Sequence, residues 1–170
     1  MTGKRLGLVG GGQIGKEVAK RAVGIGMSLF IYDPYFKDTA FLEQYGATLV
    51  TDLDKLFAES DVISLHVPAT QETKKIINSR TLALMKPTAI LINTSRGELV
   101  DEDALYTSLA DKKLAFAAQD VFSSEPPNKE EKLLTLDNFI LTPHIGAYTN
   151  EAVEKMVIIS TQNLLDMLEE

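Results

Sequence analysis

The stretch that decides the fold is Lys4 to Tyr35, KRLGLVGGGQIGKEVAKRAVGIGMSLFIYDPY. Leu6, Leu8 and Val9 form a short apolar run that ends in Gly10, Gly11 and Gly12, and Gly15 follows where a helix must begin. This is G-x-G-x-x-G between a strand and a helix. In that context Gly10 permits a tight turn, Gly12 lets the backbone approach a pyrophosphate, and Gly15 lets the helix pack closely on the strand. Free N–H groups at the helix start then face negative charge. Ile14, Val18, Ala19, Ala22, Val23 and Ile25 recur near a 3.6-residue period, and Gly24 and Gly26 end the helix. Leu29 to Tyr32 reads as a buried strand with Asp33 at its carboxyl end, 23 residues after Gly10. A carboxylate there accepts hydrogen bonds from a ribose 2′-OH, so the unit predicts dinucleotide binding. The ordinary alternative for Asp33 is a turn residue before Pro34.

The rest of the chain continues the alternation. Strands are expected at Thr48–Val50, Val62–Leu65, Ala89–Ile92, Leu114–Ala118 and Phe139–Leu141, with helical pieces at Thr39–Tyr45, Leu53–Ala58, Thr81–Met85 and Asp101–Leu109. Asn93 to Gly97 reads as a loop. Short apolar strands separated by helices give an α/β fold: a Rossmann-type doubly wound parallel sheet of about seven strands with helices on both faces. The segment Asn150 to Glu170 carries a wide apolar helical face including Val153, Met156, Val157, Leu164 and Leu168. That face packs on this sheet, or meets another subunit or a further domain. No internal repeat or linker divides the chain.

Composition narrows the partners. The 170 residues carry 17 Lys plus Arg against 24 Asp plus Glu, a net charge of −7, without a basic stripe, so nucleic acid is not an expected partner. No cysteine is present, which removes disulfides, thiolate catalysis and Cys-type zinc sites and fits a reducing compartment. With only His66 and His144, no metal-ligand spacing forms. No apolar run is long enough to cross a membrane, and the first ten residues do not resemble a secretory leader. A cytoplasmic protein is expected.

Ligands of an open α/β sheet bind outside the carboxyl ends of the strands. The polar residues at those ends are Asp33, His66, Thr94, Ser95, Arg96, Asp120, Glu125 and His144. Hydride transfer to a 2-oxo acid needs a cation for the carboxylate and carbonyl, an acid for the developing alkoxide, and a group that tunes the acid. Arg96 has the planar fork for the first role, His144 suits the second, and Glu125 stabilises an imidazolium. Structural roles stay open for each: Arg96 capping a strand or pairing with Glu98, Glu125 at the surface before Pro126, and His66 as a packing or cofactor-contacting residue.

GLVGGGQIGKEVAKRA, LHVPATQETKKIIN, INTSRGELVDEDAL, DVFSSEPP and TPHIGAYT resemble, in order from about Lys4 to about Met156, the signatures of the NAD-dependent D-isomer-specific 2-hydroxyacid dehydrogenases. The resemblance implies that Arg96 orients the substrate, Glu125 partners the histidine and His144 is the acid/base. It implies NAD as cofactor, held by Gly10, Gly12, Gln13, Ile14, Gly15 and Asp33. It further implies contacts from His66, Val67, Pro68, Thr73, Thr94, Ser95, Arg96, Asp120, His144 and Gly146. It implies a homodimer formed through the cofactor domain, and a 2-hydroxy or 2-oxo acid as substrate wherever a substrate domain is present. Residues 1–170 match the cofactor domain alone, so the family's substrate-binding domain is expected to be absent from this chain and turnover alone to be small. Corepressor-like members of the family give a second possibility, a dinucleotide-binding and dimerising module without catalysis. Phe116 and Gln119 stand where the family usually has a glycine and an aliphatic residue, which bears on the packing before Asp120.

Overall fold

The computed structural model describes residues 1–169; Glu170, the expected end of the last helix, lies outside the described residues. Seven strands form one sheet: β1 (Arg5–Val9), β2 (Ser28–Tyr32), β3 (Ala47–Leu49), β4 (Val62–Leu65), β5 (Ile90–Asn93), β6 (Phe116–Gln119) and β7 (Phe139–Leu141). Their order is β3-β2-β1-β4-β5-β6-β7, and every neighbouring pair is parallel. Six helices accompany them: α1 (Gln13–Gly24), α2 (Thr39–Tyr45), α3 (Leu53–Glu59), α4 (Ser79–Leu84), α5 (Glu102–Ala110) and α6 (Asn150–Glu169). The strand order reverses between β1 and β4. That crevice is where an open α/β sheet takes its ligand.

Two apolar clusters cover the two faces. Leu6, Leu8, Leu29 and Ile31 pack with Ala19 and Ala22 of α1 and Phe41 of α2. Ile63, Leu65 and Leu91 pack on the other face with Leu56 and Phe57 of α3, Leu82 of α4, and Leu105 and Leu109 of α5. Parallel strands buried on both faces need apolar side chains in both directions, which is why β4 reads Val-Ile-Ser-Leu without polar alternation. Cover is thinner beyond β4. On the α1 side Ile92 and Phe116 are only half-buried, and Ile140 is exposed.

Helix starts follow a common rule with one exception. Asp38, Asp52, Asn78 and Asp101 cap α2, α3, α4 and α5 through side-chain oxygens that accept backbone N–H groups. The start of α1 has Gly12 at the cap position, no side-chain cap and no acidic residue in its first turn. Its orphan donors are left for something else.

The structure refines three expectations. Asn93 completes β5, pairing with Gln119, and the loop starts one residue later. Short 3-10 turns at Gly97–Leu99 and Lys132–Thr135, which lack an apolar period, were not anticipated. Helix α6 does not pack on the sheet: every residue from Val153 to Leu168 is exposed, Met167 to 74%.

Candidate functional site

The glycine-rich turn is fixed by close packing. Gly10 has φ of +104°, and a Cβ on it would sit 2.4 Å from the His66 carbonyl oxygen. A Cβ on Gly15 would meet the Gly10 carbonyl oxygen at 2.3 Å, so α1 can lie on β1 only without a side chain there. Gly12 differs: its Cβ would meet nothing within 4 Å. Nothing within the protein calls for a glycine at position 12. The bare backbone instead leaves open space beside the uncapped donors of α1, with Gln13 and Ile14 exposed in its first turn.

Asp33 closes the other side of the turn. Its Oδ2 accepts the Gly11 N–H at 2.9 Å and its Oδ1 accepts the Tyr35 N–H at 2.9 Å. Each oxygen keeps a lone pair for a further donor, so the carboxylate shapes the loop and remains able to take a ribose hydroxyl. His66 lies beneath the turn, its Nε2 sharing a 3.0 Å hydrogen bond with Ser64 Oγ. Burial pushes the His66 pKa below its ordinary value, favouring the neutral ring. Val67 is half-buried and Pro68 exposed after it; Thr73 Oγ1 donates to the Pro68 carbonyl at 2.6 Å, folding that loop back on itself.

The second group lies at the ends of β5, β6 and β7. Asn93 organises the Arg96 turn, its Nδ2 donating to the Arg96 carbonyl at 2.9 Å and its Oδ1 accepting the Ser95 N–H at 3.1 Å. Ser95 Oγ donates to the Leu65 carbonyl at 2.7 Å, tying this turn to the end of β4. Thr94 and Arg96 are exposed, and Arg96 Nη1 donates to the Ser95 carbonyl at 2.6 Å. The pairing of Arg96 with Glu98 left open by the sequence does not form. Gly97 then seats the turn against the β6 loop, where a Cβ would lie 2.0 Å from the carbonyl carbon of Phe122.

That loop holds the histidine's partner. The Phe122 N–H donates to Glu125 Oε1 at 2.9 Å, and His144 Nδ1 lies 2.8 Å from Glu125 Oε2. A carboxylate there fixes the proton on Nδ1 and leaves Nε2 as the working nitrogen. The bond from His144, helped by that from Phe122, holds the Glu125 carboxyl below the usual carboxylate range. Both side chains stay open to solvent, His144 to 51% and Glu125 to 39%. A cavity of about 350 Å³ adjoins the pair, lined by Phe122, Pro126, Leu141 and Pro143 among others.

Asp120 builds the segment that carries the histidine. It is 6% exposed; its Oδ1 accepts from Thr142 Oγ1 and from Ile145 N–H at 3.0 Å, and its Oδ2 accepts the Gly146 N–H at 2.8 Å. Burial pushes its pKa up, but these hydrogen bonds outweigh that and leave it lowered. The clamp holds His144 at φ +54°, a left-handed conformation that a non-glycine residue keeps only when its surroundings impose it. Sequence reading missed two of these supports, Asn93 and Thr142. The signal for Asn93 was an Asn ending an apolar strand before a polar turn; Thr142 had none beyond its place in TPH.

A dinucleotide-binding Rossmann domain is the class that this crevice, uncapped helix and aspartate define. Residues 1–146 match the family described as D-isomer specific 2-hydroxyacid dehydrogenase, NAD binding domain. The chain belongs to that family and corresponds to its NAD-binding domain, with helices and parallel sheet in the same fold. It is 49% identical over 160 residues to a hydroxypyruvate reductase of Thermotoga maritima, covering 93% of this chain and 51% of that protein. A glyoxylate reductase from Paecilomyes thermophila superposes with a TM-score of 0.92 at 37% identity, covering 99% of this chain and 50% of that one. An NAD-complexed D-isomer specific 2-hydroxyacid dehydrogenase from Lactobacillus delbrueckii ssp. bulgaricus superposes at 0.88 with 32% identity, over 98% and 53%. The chain thus spans about half the length of these relatives. NAD is the cofactor of the family, and the open cradle at Gly12 and the uncapped α1 fit it.

Proposed function

We propose that this chain is the cofactor-binding half of an oxidoreductase that interconverts a 2-hydroxy acid and a 2-oxo acid, with Arg96, Glu125 and His144 as its catalytic residues. The observation that carries this is the 2.8 Å Glu125–His144 pair, packed through Phe122 against the Arg96 turn on the sheet edge that presents the glycine-rich loop. The α1 N-terminus with Gly10, Gly12, Gln13, Ile14 and Gly15 receives the pyrophosphate, and Asp33 the adenosine ribose. His66, Val67, Pro68 and Thr73 flank the cofactor, and Thr94, Ser95, Asp120 and Gly146 border its nicotinamide end.

NADH supplies the hydride when bound. The protein's residues manage charge and one proton. Arg96 swings from the Ser95 carbonyl to pair with the substrate carboxylate, which its fork matches in a bidentate contact. His144 gives the proton on Nε2 to the carbonyl oxygen as that oxygen gains charge, and in the oxidation direction takes it back. Glu125 stays ionised throughout and steadies the imidazolium through Nδ1. The exposure of both groups supports the view that residues 1–170 form the cofactor domain, that one wall of the substrate site comes from outside it, and that turnover by this chain alone is small.

The same reading makes the protein a cytoplasmic homodimer with no nucleic-acid or membrane partner. Among the described residues no helix is long and apolar enough to cross a membrane. The uncovered apolar face of α6 and the thinly covered strands β5 to β7 support self-association, in which a two-fold pair buries the same patch twice.

The test is an NADH titration by fluorescence followed by NADH oxidation with glyoxylate and hydroxypyruvate. We expect saturable binding and slow oxidation that vanishes in His144→Ala. Failure of NADH to bind, or an undiminished rate in His144→Ala, would overturn the proposal.

A further inference from the structure

Gln119, the last residue of β6, is 2% exposed. Its Nε2 donates to the Val121 carbonyl at 3.3 Å, while Oε1 is the buried side-chain atom with no hydrogen-bond partner among the described residues. Exchanging the amide's two ends gives no relief, because it would set oxygen against the Val121 carbonyl and orphan the nitrogen. A carbonyl left so inside a protein is costly, and the usual remedy is an internal water with two or more polar partners.

The second partner is the neighbouring side chain. Gln119 is paired in register with Asn93 across β5 and β6, so the two side chains project to the same face of the sheet. Asn93 is fully buried and spends one Nδ2 proton on the Arg96 carbonyl, which leaves its second N–H to place. An unpaired acceptor and a spare donor thus lie on adjacent strands directly below the Arg96 turn.

We propose that Gln119 and Asn93 bind one internal water, which donates to Gln119 Oε1 and accepts from Asn93 Nδ2, and that Gln119 is through it a positioning residue for Arg96. The water fixes the Asn93 amide, the amide fixes Ser95 N–H and the Arg96 carbonyl, and the Ser95 carbonyl holds the guanidinium. An aliphatic residue at 119 would leave the Asn93 amide free to rock. The importance of that turn rests on Arg96 orienting the substrate, but the test reads the turn itself and needs neither cofactor nor turnover.

The experiment is solution NMR on the full isotope-labelled chain. The unsubstituted protein should show cross-relaxation between a long-lived water and the side-chain amides of Asn93 and Gln119. In Gln119→Leu, and in Gln119→Met, which conserves volume, the water signal at Asn93 should vanish. The Ser95 amide should then exchange at least tenfold faster and the Arg96 Nε–Hε order parameter should fall, with Leu8 and Leu65 amides and the Arg5 side chain unchanged. No bound-water signal in the unsubstituted protein overturns the site, and that measurement stands even if both variants fail to fold. Variants that leave Ser95 and Arg96 unaltered, or loosen the whole sheet evenly, overturn the positioning role.

Discussion

The two ends of the sheet's ligand edge are built to different standards of closure. At the amino-terminal end, a Cβ on Gly10 or Gly15 would fall within 2.5 Å of a backbone oxygen and Asp33 is hydrogen-bonded into the turn, so the turn is shaped within one chain. At the carboxy-terminal end, Arg96, Glu125 and His144 are each braced from below yet open above, next to strands whose far face is half bare. On the proposed function, the difference separates a cofactor cradle formed by its own fold from a catalytic group that needs cover. It also separates glycines required by packing, Gly10 and Gly15, from Gly12, beside which the protein leaves open space.

The sharpest way to break the comparison is to fill a packed glycine. Gly15→Ala drives a methyl into the Gly10 carbonyl, so it should cost about 1 to 3 kcal/mol of stability by chemical denaturation and abolish NADH binding. At the other end Asp120→Asn replaces an acceptor with an amide whose N–H₂ must face the Gly146 or Ile145 N–H. We expect a loss of about 1 to 2 kcal/mol, together with loosening of residues 142 to 146 that hydrogen exchange would report. Equal protection in the parent and Asp120→Asn would mean that the clamp does not hold His144.

Gly12→Ala should separate fold from ligand. With nothing within 4 Å of the added methyl, stability should change by less than about 0.5 kcal/mol, while the NADH dissociation constant rises at least about tenfold because the methyl occupies the pyrophosphate's approach. A variant that binds as the parent does would show that Gly12 is not part of the cradle.

How far the sequence disclosed this arrangement follows the same division. The glycine turn, helix and aspartate were legible because each reflects a local rule: a positive φ, a helix start, a strand end. The seven strands were legible as short apolar runs between turn and helix signals, most clearly β4, which is buried along its whole length. The braces were not, since Asn93 to Ser95 and Thr142 to Asp120 depend on which loops the sheet order brings together. The family resemblance marked Arg96, Glu125 and His144. Only the fold shows Gly97 and Phe122 joining the Arg96 turn to the Glu125 loop. The exposure of α6 was invisible for a further reason: an amphipathic period says that a face wants cover without saying what supplies it.

The smallest expected effect concerns pH. Burial holds folded His66 below its ordinary value of 6.5, so as pH falls through about 6.5 the unfolded chain takes up a proton that the folded chain refuses. Stability should therefore decline on acidification below that value, down to the folded pKa, and His66→Gln should flatten that limb relative to the parent. An unchanged pH profile of the midpoint in urea would show that His66 is not the group responsible.

The central claim, that this chain binds NAD through the glycine-rich cradle and Asp33, is tested most directly by calorimetric titration of the intact chain with NAD and with NADP. We expect saturable NAD binding at one site per chain and weaker NADP binding, because a 2′-phosphate would meet the Asp33 carboxylate. Asp33→Ala should weaken NAD by about 1 to 3 kcal/mol and narrow the gap between the two cofactors. Absence of NAD binding, or NADP bound as tightly as NAD by the unsubstituted protein, would contradict the account.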